Sequence, residues 1–154
     1  TGNAISVAVI ADEKANNTAG GNSDSDANFV TRNLNTEICD PDSIVSISSN
    51  QFTLGAGTYL INWSAPAYNS NEHQSQLYNV TGTTTLELGG SMYADTGDAV
   101  ITRSEGSFVH TISSNNVYEI KHRVAQSQSG NGLGIAINFS TVNIYTYVVI
   151  TKLK

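Results

Sequence analysis

Residues 144–150 read Ile144-Tyr145-Thr146-Tyr147-Val148-Val149-Ile150, and this run decides the fold. β-branched and aromatic residues at this density fit a pleated strand. The two-residue period puts Ile144, Val148 and Ile150 on one side and Tyr145, Tyr147 and Val149 on the other. Both faces are therefore apolar. Such a strand belongs in the middle of a packed structure or at a subunit interface, because one face alone covers the interior of a sandwich. The start of the chain has the same character: Ile5, Val7, Val9 and Ala11 alternate with Ser6, Ala8 and Ile10. Pairing the two ends in one inner sheet satisfies both patterns.

Working inward, residues 58–65 are the clearest further strand. Tyr59, Ile61, Trp63 and Ala65 share one face; Leu60, Asn62 and Ser64 share the other. Extended segments are also predicted over 29–34, 45–47, 52–54, 74–80, 84–91, 108–113, 117–125 and 135–139. Gly82, Gly97, Gly106 and Ser114-Asn115-Asn116 punctuate them, as turn residues do. The polar run 16–28, with Gly20-Gly21, reads as a loop, and the chain around Asp40-Pro41-Asp42 as irregular. No helical period appears. About eight to ten short antiparallel strands at this spacing read as an all-β sandwich, and a jelly roll with its end strands adjacent fits best. The 154 residues suffice for one such domain, 1–154.

Composition agrees. Charged residues make up only 13% of the chain, about half the usual share. Ser, Thr and Asn supply 51 residues, and they favour turns and strand surfaces over helix interiors. A helical bundle and a coiled coil are excluded, and valine, isoleucine and tyrosine are too plentiful for disorder. The net charge of −6 and a pI near 4.8 argue against nucleic acid as a partner, because phosphate contacts need a basic stripe. The densest basic cluster, Lys121-His122-Arg123, is short. No apolar run is long enough to span a bilayer, so membrane insertion is not expected. Cys39 is the lone cysteine, which rules out an intrachain disulfide.

Candidate chemistry is sparse. His110 alternates with Phe108 and Ile112, and His122 with Tyr118, Ile120 and Val124. Histidines on apolar faces read as hydrogen-bonded core or interface residues. No HExxH or CxxC spacing supports zinc, and only a three-fold axis gathering three imidazoles would make a metal site. His73 lies in the polar stretch Asn69-Ser70-Asn71-Glu72-His73 and reads as exposed. Asn22, Asp24, Asp26 and Asn28 imitate half a calcium loop, but Ala27 stands where the loop needs Gly and Asn33 where it needs Glu. Gly130-Asn131-Gly132-Leu133-Gly134 precedes an expected strand, so it reads as a hairpin turn rather than a phosphate cradle. There is no GxSxG, Cys39 has no neighbouring base, and Glu37, Asp40 and Asp42 read as solvated. The four Asn-x-Ser/Thr sequons are what this Asn, Ser and Thr content produces by chance. No enzyme activity, cofactor or metal is expected.

Several stretches carry a resemblance. They include Asp12-Glu-Lys-Ala-Asn-Asn-Thr, the double glycine, Thr31-Arg-Asn-Leu-Asn-Thr-Glu, and Ile47-Ser-Ser-Asn-Gln-Phe-Thr-Leu-Gly-Ala-Gly-Thr-Tyr. Ser64-Ala-Pro-Ala-Tyr, His73-Gln, Leu77-Tyr-Asn-Val-Thr, Thr102-Arg-Ser, Tyr118-Glu-Ile-Lys-His-Arg, Asn131-Gly-Leu-Gly-Ile-Ala and 142–153 continue it. Together they resemble the domains that end bacteriophage tail fibres and other virion fibres. Such domains often have a cysteine after the His-Arg pair, where this chain has Val124. The resemblance implies a trimeric fold similar to the C1q and tumour-necrosis-factor jelly roll, with Gly57-Thr58-Tyr59 opening a core strand. It further implies a C-terminal knob of a longer fibre, located on the phage particle as a tail or head fibre beside other virion proteins.

On that footing the expected function is non-enzymatic attachment to a bacterial surface glycan or protein. The alternative is a structural protein that decorates the capsid or forms a head fibre without binding a receptor. Loops mixing aromatic and amide side chains suit polysaccharide. The candidates are Tyr68, Asn69, Asn71, Glu72 and His73; Tyr93, Asp95 and Asp98; and Gln126 and Asn131. Tyr145, Tyr147, Val149 and His122 are the candidates for a homotrimer interface. Trp63, on the face of Tyr59 and Ile61, reads as core rather than as a ligand platform.

Overall fold

In the computed structural model, which describes residues 4–26 and 29–154, the two ends of the chain pair antiparallel. Ala27 and Asn28, which belong to the loop read over 16–28, lie outside the described residues. Twelve strands occur among the described residues: β1 (Ser6–Lys14), β2 (Val30–Thr31), β3 (Thr36–Cys39), β4 (Val45–Ser48), β5 (Gln51–Leu54) and β6 (Gly57–Tyr68), then β7 (Asn71–Asn79), β8 (Thr84–Leu88), β9 (Met92–Ala94), β10 (Ile101–Ile112), β11 (Asn116–Val124) and β12 (Asn143–Lys152). No helix accompanies them there. An inner sheet runs β10-β6-β12-β1-β3, and an outer sheet β4-β5-β11-β7-β8 with β2 on β11 and β9 on β7.

The face predicted for 58–65 makes the interior. Tyr59, Ile61 and Trp63 join Ala8, Ile10, Val148 and Ile150 of the inner sheet, and they pack on Phe52, Leu54, Leu77, Tyr118 and Ile120 of the outer one. The opposite face of the inner sheet stays uncovered within the chain. One cross-strand row there is Val9, Val149 and Asn62; the next is Val7, Thr151, Leu60 and Val109. Residues directly opposite on antiparallel strands share a face, so these form a continuous surface.

Three expectations change. The strands exceed eight to ten because β3 and β9 are short and lack alternating apolar residues. β2 keeps only two residues of 29–34, and β10 begins seven residues before 108, through a polar stretch that carries no hydrophobic period. Residues 135–139 form no strand. There the backbone is held by side chains and loops instead: Ile137 N–H donates to Asn143 Oδ1 at 2.7 Å, and Ile137 C=O accepts from Asn17 N–H at 3.0 Å. The glycines before it form a turn but not a hairpin.

The interface candidates also divide. Ala11 pairs with Tyr147 but Glu13 with Ile144, so β12 carries one extra residue opposite Asp12. A one-residue bulge reverses the side to which the residues beyond it point. Tyr145 is thereby buried within the chain's own fold, its hydroxyl donating to Thr18 C=O at 2.6 Å. His122 is likewise fully buried in the sandwich. Neither is available to a partner, whereas Tyr147 and Val149 remain on the uncovered face.

Candidate ligand groove

The three predicted loops meet at one end of the sandwich. Asn69 and Asn71 adopt left-handed backbone angles (φ 49° and 55°), which asparagine tolerates better than most residues. These angles turn the chain sharply from β6 into β7. Ser70 then binds two loops at once: its N–H donates to Ala94 C=O at 3.0 Å, and its C=O accepts from Gln126 N–H at 3.0 Å. Asn71 repeats the pattern with its side chain, accepting from Thr96 N–H and donating to Gln126 Oε1. Tyr68 N–H donates to Gly132 C=O, and Asn69 N–H to Val100 C=O. All ten residues singled out from the sequence thus lie on three connected segments.

Strand register assigns the faces. Glu72 pairs with Tyr93, His73 with Met92 and Val124, and Gln74 with Arg123. Glu72, Gln74, Tyr93 and Arg123 therefore face out, while His73 and Val124 turn inward. A groove of about 770 Å³ lies over this corner, lined by these residues together with Phe29, Ser25, Ser91 and Ala125. Of the predicted residues, Glu72, His73 and Tyr93 line it. Tyr68, Asn69, Asn71, Asp95, Asp98, Gln126 and Asn131 belong to the loops around it, not to its lining.

His73 is the main correction. It is 4% exposed, not solvated, because it belongs to the inward row of β7 rather than to a loop. Its Nδ1 lies 2.9 Å from His122 Nε2, and its Nε2 lies 2.7 Å from Thr102 Oγ1. His122 Nδ1 in turn lies 3.3 Å from Nη1 of Arg32, a guanidinium with 0% exposure. Arginine only donates. His122 Nδ1 must therefore accept, which places its proton on Nε2 and orders the whole chain. Arg32 donates to His122, His122 to His73, His73 to Thr102, and Thr102 to Tyr93 C=O at 3.0 Å. The chain is complete only while both histidines are neutral. Burial, then the charge of Arg32, pushes His73 from 6.5 down to about 4, and the same causes hold His122 well below its usual value.

Stability should follow that titration. The unfolded chain takes up protons on these histidines as pH falls through 6.5, but the folded chain resists until about 4. Excess proton uptake by the unfolded state makes stability rise with pH, so the contribution is full above 6.5 and is lost as pH falls through about 4. Melting temperature measured between those values should drop by several degrees on acidification. His73→Gln, which can still accept and donate, should flatten the slope. An equally steep profile in that variant would remove His73 from the account.

Sequence reasoning missed Phe29, Gln74, Arg123 and Arg32. A signal existed for two of them. Val30, Arg32 and Leu34 alternate, which puts a lone arginine on an apolar face. Placing His122 on the apolar face of 117–125 also commits Arg123 to the opposite one. Among the described residues, no three His, Cys, Asp or Glu side chains gather as a metal site.

No family model and no curated protein matches the chain. Solved structures do. Murine APRIL at pH 5.0 superposes with a TM-score of 0.63 at 8% identity, covering 97% of this chain and 100% of that one. Vertex protein P5 of PRD1 gives 0.59 at 14% identity, covering 99% and 100%. The globular domain of zebrafish complement 1qA gives 0.52 at 11% identity, covering 97% and 94%. The chain has the C1q/tumour-necrosis-factor-like jelly-roll fold.

Proposed function

We propose that this chain is a non-enzymatic virion protein, a homotrimeric fibre knob that attaches a phage to a bacterial surface glycan. The observation that carries the reading is the uncovered face of the inner sheet. Val7, Val109 and Tyr147 are exposed there, and Val9, Leu60 and Val149 are half-buried beside them. A contiguous apolar surface of this kind marks an association site. Covering it favours assembly by about 1.5–3 kcal/mol for each side chain fully removed from water. Three-fold closure points each knob the same way, so three weak sites act together through effective concentration. The likeness to the PRD1 vertex protein supports a place on the virion, as a tail or head fibre.

Light scattering should give a species three times the 16.3-kDa chain mass. Val149→Glu places a charge in the middle of the covered face and should yield monomers. A parent domain that stays monomeric at micromolar concentration would sink the trimer. Attachment is tested separately, by whether the free parent domain binds host cells and blocks phage adsorption. Absence of both would favour a purely structural, decorating role.

A further inference from the structure

We infer that the groove between Phe29 and Tyr93 takes a carboxylate-bearing saccharide, with Arg123 as the anion contact; this rests on the attachment reading above. Two rows of side chains cross its floor. Glu72 and Tyr93 lie in one, beside Ala125; Arg123 and Gln74 lie in the other, and Gln74 Nε2 donates to Ser91 Oγ at 3.2 Å. Val30 pairs with His122, so Phe29 sits at the Arg123 end, on the far edge of the patch from Tyr93. From β2 across β11 and β7 to β9 is three strand spacings, about 14 Å. Small Ala125 keeps the floor between the aromatic walls low.

The chemistry fits a sugar acid. Aromatic faces at both ends offer apolar stacking surfaces, and a few fixed polar groups between them set orientation, as in ligand sites of this volume. Arg123 is the decisive group. Lys14 and Lys121 are engaged in ion pairs, Arg32 is buried among carbonyls, and Arg103 is bound to Ser64 and stacked over Tyr147. The Arg123 guanidinium has no hydrogen bond or ion pair among the described residues, yet the residue lines the groove. Its planar fork matches a carboxylate. Glu72, one row away, repels an anion but accepts from hydroxyls. The ligand is therefore oriented, with its carboxylate toward Phe29 and Arg123 and its hydroxyls toward Glu72 and Tyr93.

The probe is an array of acidic and neutral bacterial polysaccharide fragments, with a poly-glutamate peptide as the non-sugar anion. The parent domain should be retained by carboxylate-bearing glycans, and less so as salt rises. Arg123→Gln should weaken retention by about tenfold or more, and Arg123→Lys by less. Thermal melting and oligomeric state should be unchanged in both, since the side chain is exposed. Retention on neutral glycans alone, on the peptide alone, or on no acidic glycan overturns the inference, as does unchanged retention of Arg123→Gln. If the parent binds host cells and Arg123→Gln binds equally well, the groove assignment fails while attachment stands. If the parent binds no host cell, the attachment reading itself fails.

Discussion

Arg32→Ala is expected to cost roughly 3–5 kcal/mol of stability, as breaking a buried charged network does. That is a third or more of the stability of many domains this size. The guanidinium bridges four parts of the fold. Nε donates to Thr146 Oγ1 on β12 at 2.7 Å, Nη1 to Pro66 C=O on β6 at 2.8 Å, and Nη2 to Leu133 C=O at 2.8 Å. Its contact with His122 on β11 completes the set. Truncation takes the donor away from two carbonyls, a hydroxyl and His122 Nδ1 in a buried site, and each unsatisfied group costs about 1–3 kcal/mol.

Conservative replacements test the geometry. Arg32→Met fills much of the volume but leaves the same carbonyls unsatisfied, so it should rescue little. Arg32→Lys keeps a charge but concentrates its three donors on one nitrogen, which cannot span four partners on a planar fork. Burial lowers the Arg32 pKa to about 9, with Asp12 opposing the shift, so the group stays charged at neutral pH. Leu133 and Pro66 anchor the segments that carry Asn131 and Tyr68. Loss of Arg32 should therefore loosen the groove end first, and hydrogen exchange should rise at 126–134 before the core of β6. A melting temperature within a degree or so of the parent would show that the bonds to Arg32 contribute nothing net.

The fold was legible wherever a strand buries both faces or one. Alternation at 144–150 and 5–11 placed the ends of the chain together, and 58–65 named the core face. It fell silent in β3 and the first half of β10, where Thr, Glu, Arg and Ser leave no hydrophobic period, and in β9, whose three residues are too few to show one. The bulge in β12 was invisible for a related reason. Tyr145 and Tyr147 are chemically alike, and only the register against Asp12 separates their fates. At the groove, the mixture of aromatic and amide side chains singled out three segments that the fold brings together, but polarity was taken as exposure. His73 is polar and buried because partners 90 and 49 residues apart, Arg32 with His122 and His122 with His73, satisfy one another. Such long-range pairing has no local signature.

Trp63→Ala is expected to cost about 3–5 kcal/mol, the usual penalty for emptying a buried aromatic site. Trp63 is buried in the core, and its indole N–H donates to Ser75 Oγ at 2.9 Å. Ser75 Oγ itself donates to Ser104 Oγ at 2.8 Å, so the ring's polar edge ends in a satisfied network rather than at the groove. The indole ring packs against Gly106, its direct cross-strand partner on β10. A Cβ built there would come within 2.0 Å of the indole Cζ2. Gly106→Ala should therefore cost about 1–3 kcal/mol, because the methyl must displace a close-packed ring. The two effects should not add. In a Trp63→Ala background the clash disappears, and alanine at 106 should cost next to nothing or even stabilise a strand that glycine weakens. Denaturant melts of the four combinations measure this coupling directly. An equal cost for Gly106→Ala with and without Trp63 would mean that the glycine serves backbone freedom rather than the ring, and unchanged stability in Trp63→Ala with lost cell binding would move Trp63 from core to ligand contact.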